Sequence, residues 1–230
     1  MRIGVLAFVG GLATALPASA KAPVLVELYT SQGCGTCAES SRVIDRLSMR
    51  KDVLALTFSV DTWDYLGWTD TFARPEFAAR QRACAENREP NAVYTPQVIV
   101  AGVGEARANE TRAVDGLVRR AQAPAANSPA VRFIRDGALV QINSGPTPVR
   151  PDEVWLIRYE PGVREVEVRR GENQGRTLAY RNVVRELVKL GEWNGRARGF
   201  DLPRPSHEGL TTLVIVQKVG CDKVMAAAVR

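Results

Sequence analysis

The feature that most constrains this chain is a pair of cysteines separated by two residues and placed where a strand gives way to a helix. Val24-Leu25-Val26-Glu27-Leu28-Tyr29 is short, mostly apolar and β-prone; Ser31-Gln32-Gly33 interrupts it, and Gly33-Cys34-Gly35-Thr36-Cys37 follows. From Cys37 to about Met49, Val43, Ile44 and Leu47 recur at helical spacing with Arg42, Asp45 and Arg46 opposite, which predicts a helix carrying Cys37 in its first turn. Unpaired amides and the helix dipole at such an end stabilise a thiolate, the attacking species in disulfide exchange. Cys34 is therefore the candidate nucleophile and Cys37 the resolving thiol. Three other readings stay open: an inert structural disulfide, a metal site completed by Cys84, Cys221 or His207, and packing alone. A zinc site built from all four cysteines lacks the second closely spaced pair such sites usually show.

The first residues set the compartment in which those thiols would work. Met1 to Ala20 has the form of a secretory signal peptide, with Arg2, an apolar run from Ile3 to Leu16, Pro17 and the small-residue exit Ala18-Ser19-Ala20. That run is about 14 residues, against the roughly 20 of a spanning helix, so a retained anchor is the weaker alternative. A mature chain starting at Lys21 has no later stretch of spanning length. Export to the periplasm or beyond lets disulfides form and persist.

Further along, Leu54 to Val60 predicts a strand, Pro75 the first turn of a helix with Phe77, Gln81 and Cys84 on one face, and Gln97 to Ala101 another strand. A helix with Val114, Leu117, Val118 and Ala121 on one side completes a β-α-β-α-β-α order, an α/β layer architecture. Ala121 to Pro129 is the candidate linker. Beyond it, Val131 to Ile134 and Leu139 to Ile142 flank the hairpin signal Asp136-Gly137. Val154 to Tyr159, Val163 to Arg169, Leu210 to Val216 and Val224 to Val229 predict further strands, and Tyr180 to Gly191 fits helix or strand. The organisation expected is a signal peptide over 1–20, an α/β domain over 21–125, and a mostly β region over 126–230 packed on it.

The formal charge of +6 is uneven: residues 21–130 carry 13 basic and 13 acidic side chains, and residues 131–230 carry 17 and 12. Aromatics are not interleaved with the basic residues, which argues against a nucleic-acid groove. A solvated surface with spare arginines accounts for the excess.

A strand, a C-x-x-C pair at a helix start, and Tyr94-Thr95-Pro96 just before the next strand together resemble the thioredoxin-like fold. The resemblance implies a cis peptide at Pro96 lying against the cysteines, with Thr95 and Pro96 presenting a backbone edge to a substrate; a trans proline opening an edge strand is the alternative. Thioredoxins also keep a buried acid in the strand before the cysteines. Glu27 is displaced from that position by one residue, so a solvent-facing carboxylate is favoured over a proton shuttle, and Asp61 is a second proton-transfer candidate.

More specifically, Leu28 to Cys37, Val60-Asp61-Thr62-Trp63-Asp64-Tyr65-Leu66-Gly67-Trp68, Val93 to Gln97, Ala79 to Arg82 and Arg169-Arg170-Gly171-Glu172-Asn173 resemble a family of secreted bacterial proteins classed as a domain of unknown function. The likeness covers nearly the whole mature chain and implies a thioredoxin-like fold, but no substrate. Ser59 and Thr62 depart from it, standing where members often have histidine and tyrosine. Cys84 and Cys221 lie outside the pattern; a bridge between them would tie the two halves together, and two free buried thiols are the alternative. Trp63, Tyr65 and Trp68 fall in a loop after a strand, where they either contact a bound peptide or anchor the loop to the core.

The leading functional expectation is a thiol–disulfide oxidoreductase of the cell envelope. It needs no bound cofactor or metal, and its partners are envelope protein thiols or disulfides and a redox partner that recycles it. The alternatives are a non-catalytic binding or assembly module that keeps a permanent disulfide, and metal delivery through Cys34 and Cys37.

Overall fold

The computed structural model describes residues 22–88, 91–122 and 128–230. The expected signal peptide lies outside them, as do residues 123–127 of the expected linker.

The fold is α/β. Its first half runs β1 (Val24–Thr30), α1 (Ser41–Ser48), β2 (Val53–Ser59), α2 (Pro75–Glu86), β3 (Gln97–Val100), β4 (Gly104–Arg107) and α3 (Thr111–Ala121). Strand β1 pairs parallel with β2 and antiparallel with β3. All seven residues of β1 are buried, as expected of a central strand covered on both faces. Alternation sends Val24, Val26 and Leu28 toward Ile44 and Leu47 of α1 and Val114 and Val118 of α3, while Leu25 and Tyr29 meet Phe77 of α2 on the other face.

The second half adds strands to the same sheet. They are β5 (Val131–Ile134), β6 (Leu139–Ile142), β7 (Asp152–Glu167), β8 (Thr177–Trp193), β9 (Arg198–Asp201), β10 (Thr211–Gln217) and β11 (Val224–Val229). The large sheet has the order β11-β10-β7-β8-β2-β1-β3-β4, and β5-β6-β9 form a small second sheet. The halves meet at the β2/β8 seam, where Thr57 pairs with Val183. There Thr57 Oγ1 donates to the Arg181 carbonyl at 2.7 Å and the Asn182 carboxamide donates to the Ala55 carbonyl at 3.0 Å.

Two local readings are corrected and an open one is decided. Helix α1 starts at Ser41, not at Cys37. The Ser40 amide and hydroxyl both donate to the Cys37 carbonyl, at 2.9 and 2.6 Å, so the chain turns by i to i+3 bonds before it becomes α-helical. The stretch Val154–Tyr159 and, of Val163–Arg169, the residues up to Glu167 belong to one strand, with a register shift between Glu160 and Val163 where Pro161 cannot donate to the ladder. Finally, Tyr180–Gly191 is strand, within β8.

Cys84 on α2 and Cys221 after β10 form a disulfide across 137 residues. A Cys84→Ala/Cys221→Ala variant is expected to lose about 2–5 kcal/mol of stability, read by urea unfolding under non-reducing conditions. A midpoint equal to that of the wild type would show that the bridge restrains nothing the sheet does not already hold.

Candidate functional site

The two cysteines close a disulfide with their Cα atoms 5.3 Å apart, just beyond the end of β1. Ser31, Gln32 and Gly33 in front of them are buried. Gly33 is seated against Trp63, whose Cβ would stand 3.1 Å from a Cβ at that position. Two hydroxyls face the Cys34 sulfur at 3.4 Å, those of Thr36 and Thr95. The Thr95–Pro96 peptide bond is cis. Thr95 also accepts from the Trp63 indole N–H at 2.8 Å, so the chain Trp63–Thr95–Cys34 links three of the expected site residues directly. Both cysteines are nearly closed to solvent, Cys34 at 1% exposure and Cys37 at 3%.

The aromatic loop has one inward and one outward end. Trp68 donates its indole N–H to Gln32 Oε1 at 2.8 Å and packs beside the cluster of Phe72, Val168 and Tyr180. Tyr65 is exposed and stacks on Trp63 with ring centroids 6.3 Å apart. Asp61 is half-buried at the start of the loop, where its carbonyl accepts the Asp64 amide.

Asp70, which sequence reading passed over, fixes the cysteine loop from behind. Its carboxylate accepts the Gln32 amide at 2.7 Å and the Phe72 and Ala73 amides at 2.9 and 3.1 Å. Burial pushes its carboxyl up to about 6 despite those amides, which favour the ionised form. The folded state thus holds this proton more tightly than the unfolded chain, whose carboxyl titrates near roughly 3.9. The contribution of Asp70 to stability is full below that range and falls as pH rises through it toward about 6. Thermal midpoints of wild type relative to Asp70→Asn should therefore decline between about pH 4 and pH 6 and level off above. A difference that stays constant across that window would contradict the assignment.

Glu27 is not the solvent-facing carboxylate expected. It is fully buried, on the face of β1 opposite α1, because Arg80 of α2 meets it there: Arg80 Nε and Nη2 donate to its two oxygens at 2.7 and 3.0 Å. The Tyr29 hydroxyl donates to Glu27 Oε2 as well, at 2.8 Å. These bonds tie Glu27 to the α2 layer, whereas the cysteine turn leads into α1 on the other side.

A groove of about 490 Å³ runs beside the disulfide, lined by Thr36, Thr95 and Pro96 and by the arginines Arg42, Arg46 and Arg107. Arg42 pairs with Glu39 and Arg46 with Asp115, each at 2.8 Å, and Arg107 lies over the Tyr94 ring. Glu172 and Asn173, in the turn between β7 and β8, reach the cysteine turn from the second half of the chain. Their segment stood out in the sequence for its resemblance to the family, and nothing in it signalled contact with residues so far upstream.

The family model described as a protein of unknown function, DUF1223, matches residues 25–217. The chain belongs to that family. The matched stretch includes the cysteine pair, the aromatic loop, Pro96 and Glu172. A crystal structure of a protein from Agrobacterium tumefaciens is similar over 92% of this chain and 95% of that one, with 25% sequence identity and a TM-score of 0.70. HBP35 of Porphyromonas gingivalis shares the fold at 12% identity and a TM-score of 0.56, over 92% of this chain and 76% of its own. No curated protein matches the chain. Membership in DUF1223 brings no activity with it.

Proposed function

We propose that this DUF1223 protein is a thiol–disulfide oxidoreductase of the cell envelope, built as a thioredoxin-like unit over residues 21–125 whose sheet the mostly β region 126–230 extends. A client thiolate attacks Sγ of Cys34, the Cys34–Cys37 bond breaks, and Cys37 leaves as a thiolate. A second client thiolate then attacks the mixed disulfide, releasing the oxidised client and the Cys34 thiolate. Run in reverse, the same steps reduce a client. The observation that carries this reading is the pair of hydroxyls, from Thr36 and Thr95, held at 3.4 Å from the Cys34 sulfur, where each can donate to a thiolate. The adjoining groove offers an extended client segment a place beside Thr95 and Pro96, with Trp63 and the exposed Tyr65 on the aromatic side. Two disulfides among the described residues suit an oxidising compartment, and no helix among those residues is long and apolar enough to cross a membrane.

A second reading is favoured by the burial of both sulfurs. A covered, permanent Cys34–Cys37 bridge would leave the chain a binding or assembly module that engages partners through its loops. Redox titration of residues 21–230 in glutathione and dithiothreitol buffers, with thiol trapping and mass spectrometry, separates the two. Working exchangers convert at roughly −120 to −270 mV, and structural bridges lie below about −300 mV. Conversion of Cys34 and Cys37 together in the upper range supports the oxidoreductase; a pair that stays closed to the lower one overturns it.

A further inference from the structure

The cysteine turn is roofed by the hairpin that joins β7 to β8. Asn173 is fully buried, and its carboxamide donates to the Gln32 and Cys34 carbonyls at 2.9 Å each. Glu172 beside it accepts the Gly35 amide at 2.7 Å from 137 residues downstream. Gly35 is needed for this, because a Cβ there would stand 2.7 Å from the same carboxylate oxygen. Gly171 makes the bend with φ of +78°, a conformation that suits glycine. Among the described residues no cation is ion-paired to Glu172, so its charge rests on the first amide after Cys34 without a neutralising partner.

We propose that Glu172 is a positioning residue that holds the Cys34 thiol less acidic, and the Cys34–Cys37 pair more reducing, than the turn would make them alone. This rests on the oxidoreductase reading and gives the second half of the chain a part in it. Reduction of the bridge produces a Cys34 thiolate that needs donors from its own turn. Glu172 already occupies the Gly35 amide, and a carboxylate beside a developing thiolate disfavours the anion. The Thr36 and Thr95 hydroxyls pull the other way. A less stable thiolate is a less stable reduced form, and the equilibrium then favours the disulfide.

The test uses Glu172→Gln, which keeps size and an acceptor but removes the charge. In a Cys37→Ser background Cys34 is the single thiol of the turn, and its thiolate absorbance is followed against pH. Glu172→Gln should lower that midpoint by about one unit and, with both cysteines present, shift the exchange equilibrium with glutathione about tenfold toward the reduced pair, which is about 30 mV. Thr95→Val should move both quantities in the opposite direction, a sign change that loosened packing does not produce. Gly35→Ala, whose Cβ displaces the carboxylate, provides an independent variant that should follow Glu172→Gln. Unchanged midpoints in both Glu172→Gln and Gly35→Ala would overturn the proposal. A wild-type pair that fails to exchange in any buffer sinks the oxidoreductase reading instead, while the thiolate titration still reports on Glu172.

Discussion

Cys34→Ser is expected to reduce thiol–disulfide exchange to the rate of buffer alone, whereas in Cys37→Ser the Cys34 thiolate should still attack a client disulfide, expel one client sulfur as a thiolate and accumulate as a mixed disulfide. The asymmetry follows from the site: the Thr36 and Thr95 hydroxyls both face the Cys34 sulfur, and the groove that would hold a client runs past Thr36 and Thr95. Cys34 is thus the sulfur prepared to carry negative charge, and Cys37 the one that completes the exchange. Intact-mass analysis after acid quenching reads both outcomes, using a disulfide-bonded peptide as client so that one of its sulfurs leaves as a thiolate when the adduct forms. Adduct that accumulates on Cys37 in the Cys34→Ser variant, at the rate seen for Cys34, would reverse the assignment.

Arg80→Ala should cost about 3–5 kcal/mol, because it strands a buried carboxylate. At roughly 2–4 °C per kcal/mol for a chain of this size, the thermal midpoint should fall by about 6–20 °C. Glu27 and the Arg80 side chain are 0% and 3% exposed, so water cannot take over the lost bonds. Arg80 also donates to Gln217 Oε1 at 3.0 Å, tying α2 and β1 to β10. Replacing the pair together, as Glu27→Leu with Arg80→Met, removes both charges and should restore most of the stability. Calorimetry of the two variants decides the point: equal losses would mean that the cost lies in packing and not in the stranded charge. The double variant also tests Glu27 as a proton shuttle, since undiminished exchange without its carboxyl excludes that role.

Local signals made much of this architecture legible. The apolar run of β1, the spacing of Val43, Ile44 and Leu47, and Pro75 at the start of α2 each act within a few residues, and the structure has an element at each. The strands β4, with Gly104-Glu105-Ala106-Arg107, and β9, with Arg198-Gly199-Phe200-Asp201, were not anticipated. Four residues of mixed polarity carry no periodicity; they are strands because β3 and β6 lie alongside to pair with them. The site divides in the same way. Cys34, Cys37 and Trp63 were singled out from neighbouring sequence and Thr95 from the resemblance to thioredoxin-like folds, while Glu172 and Asn173 owe their place to a hairpin whose contact with Gly35 and Cys34 exists only in the folded chain. The burial of Glu27 likewise became visible only with Arg80 opposite it.

The spacing of the Cys84–Cys221 bridge also sets an order of events during biosynthesis. At roughly 5–20 residues per second, the 137 residues between its ends take about 7–27 s to synthesise. During that interval Cys34 and Cys37 are the only other thiols of the chain that Cys84 can meet. Under oxidising conditions, before the fold is complete, Cys84 can therefore pair with Cys34 or Cys37 as well as with Cys221. The native pattern then requires that Cys34–Cys37 closes first, or that such wrong bridges exchange away, before α2 and the end of β10 come together.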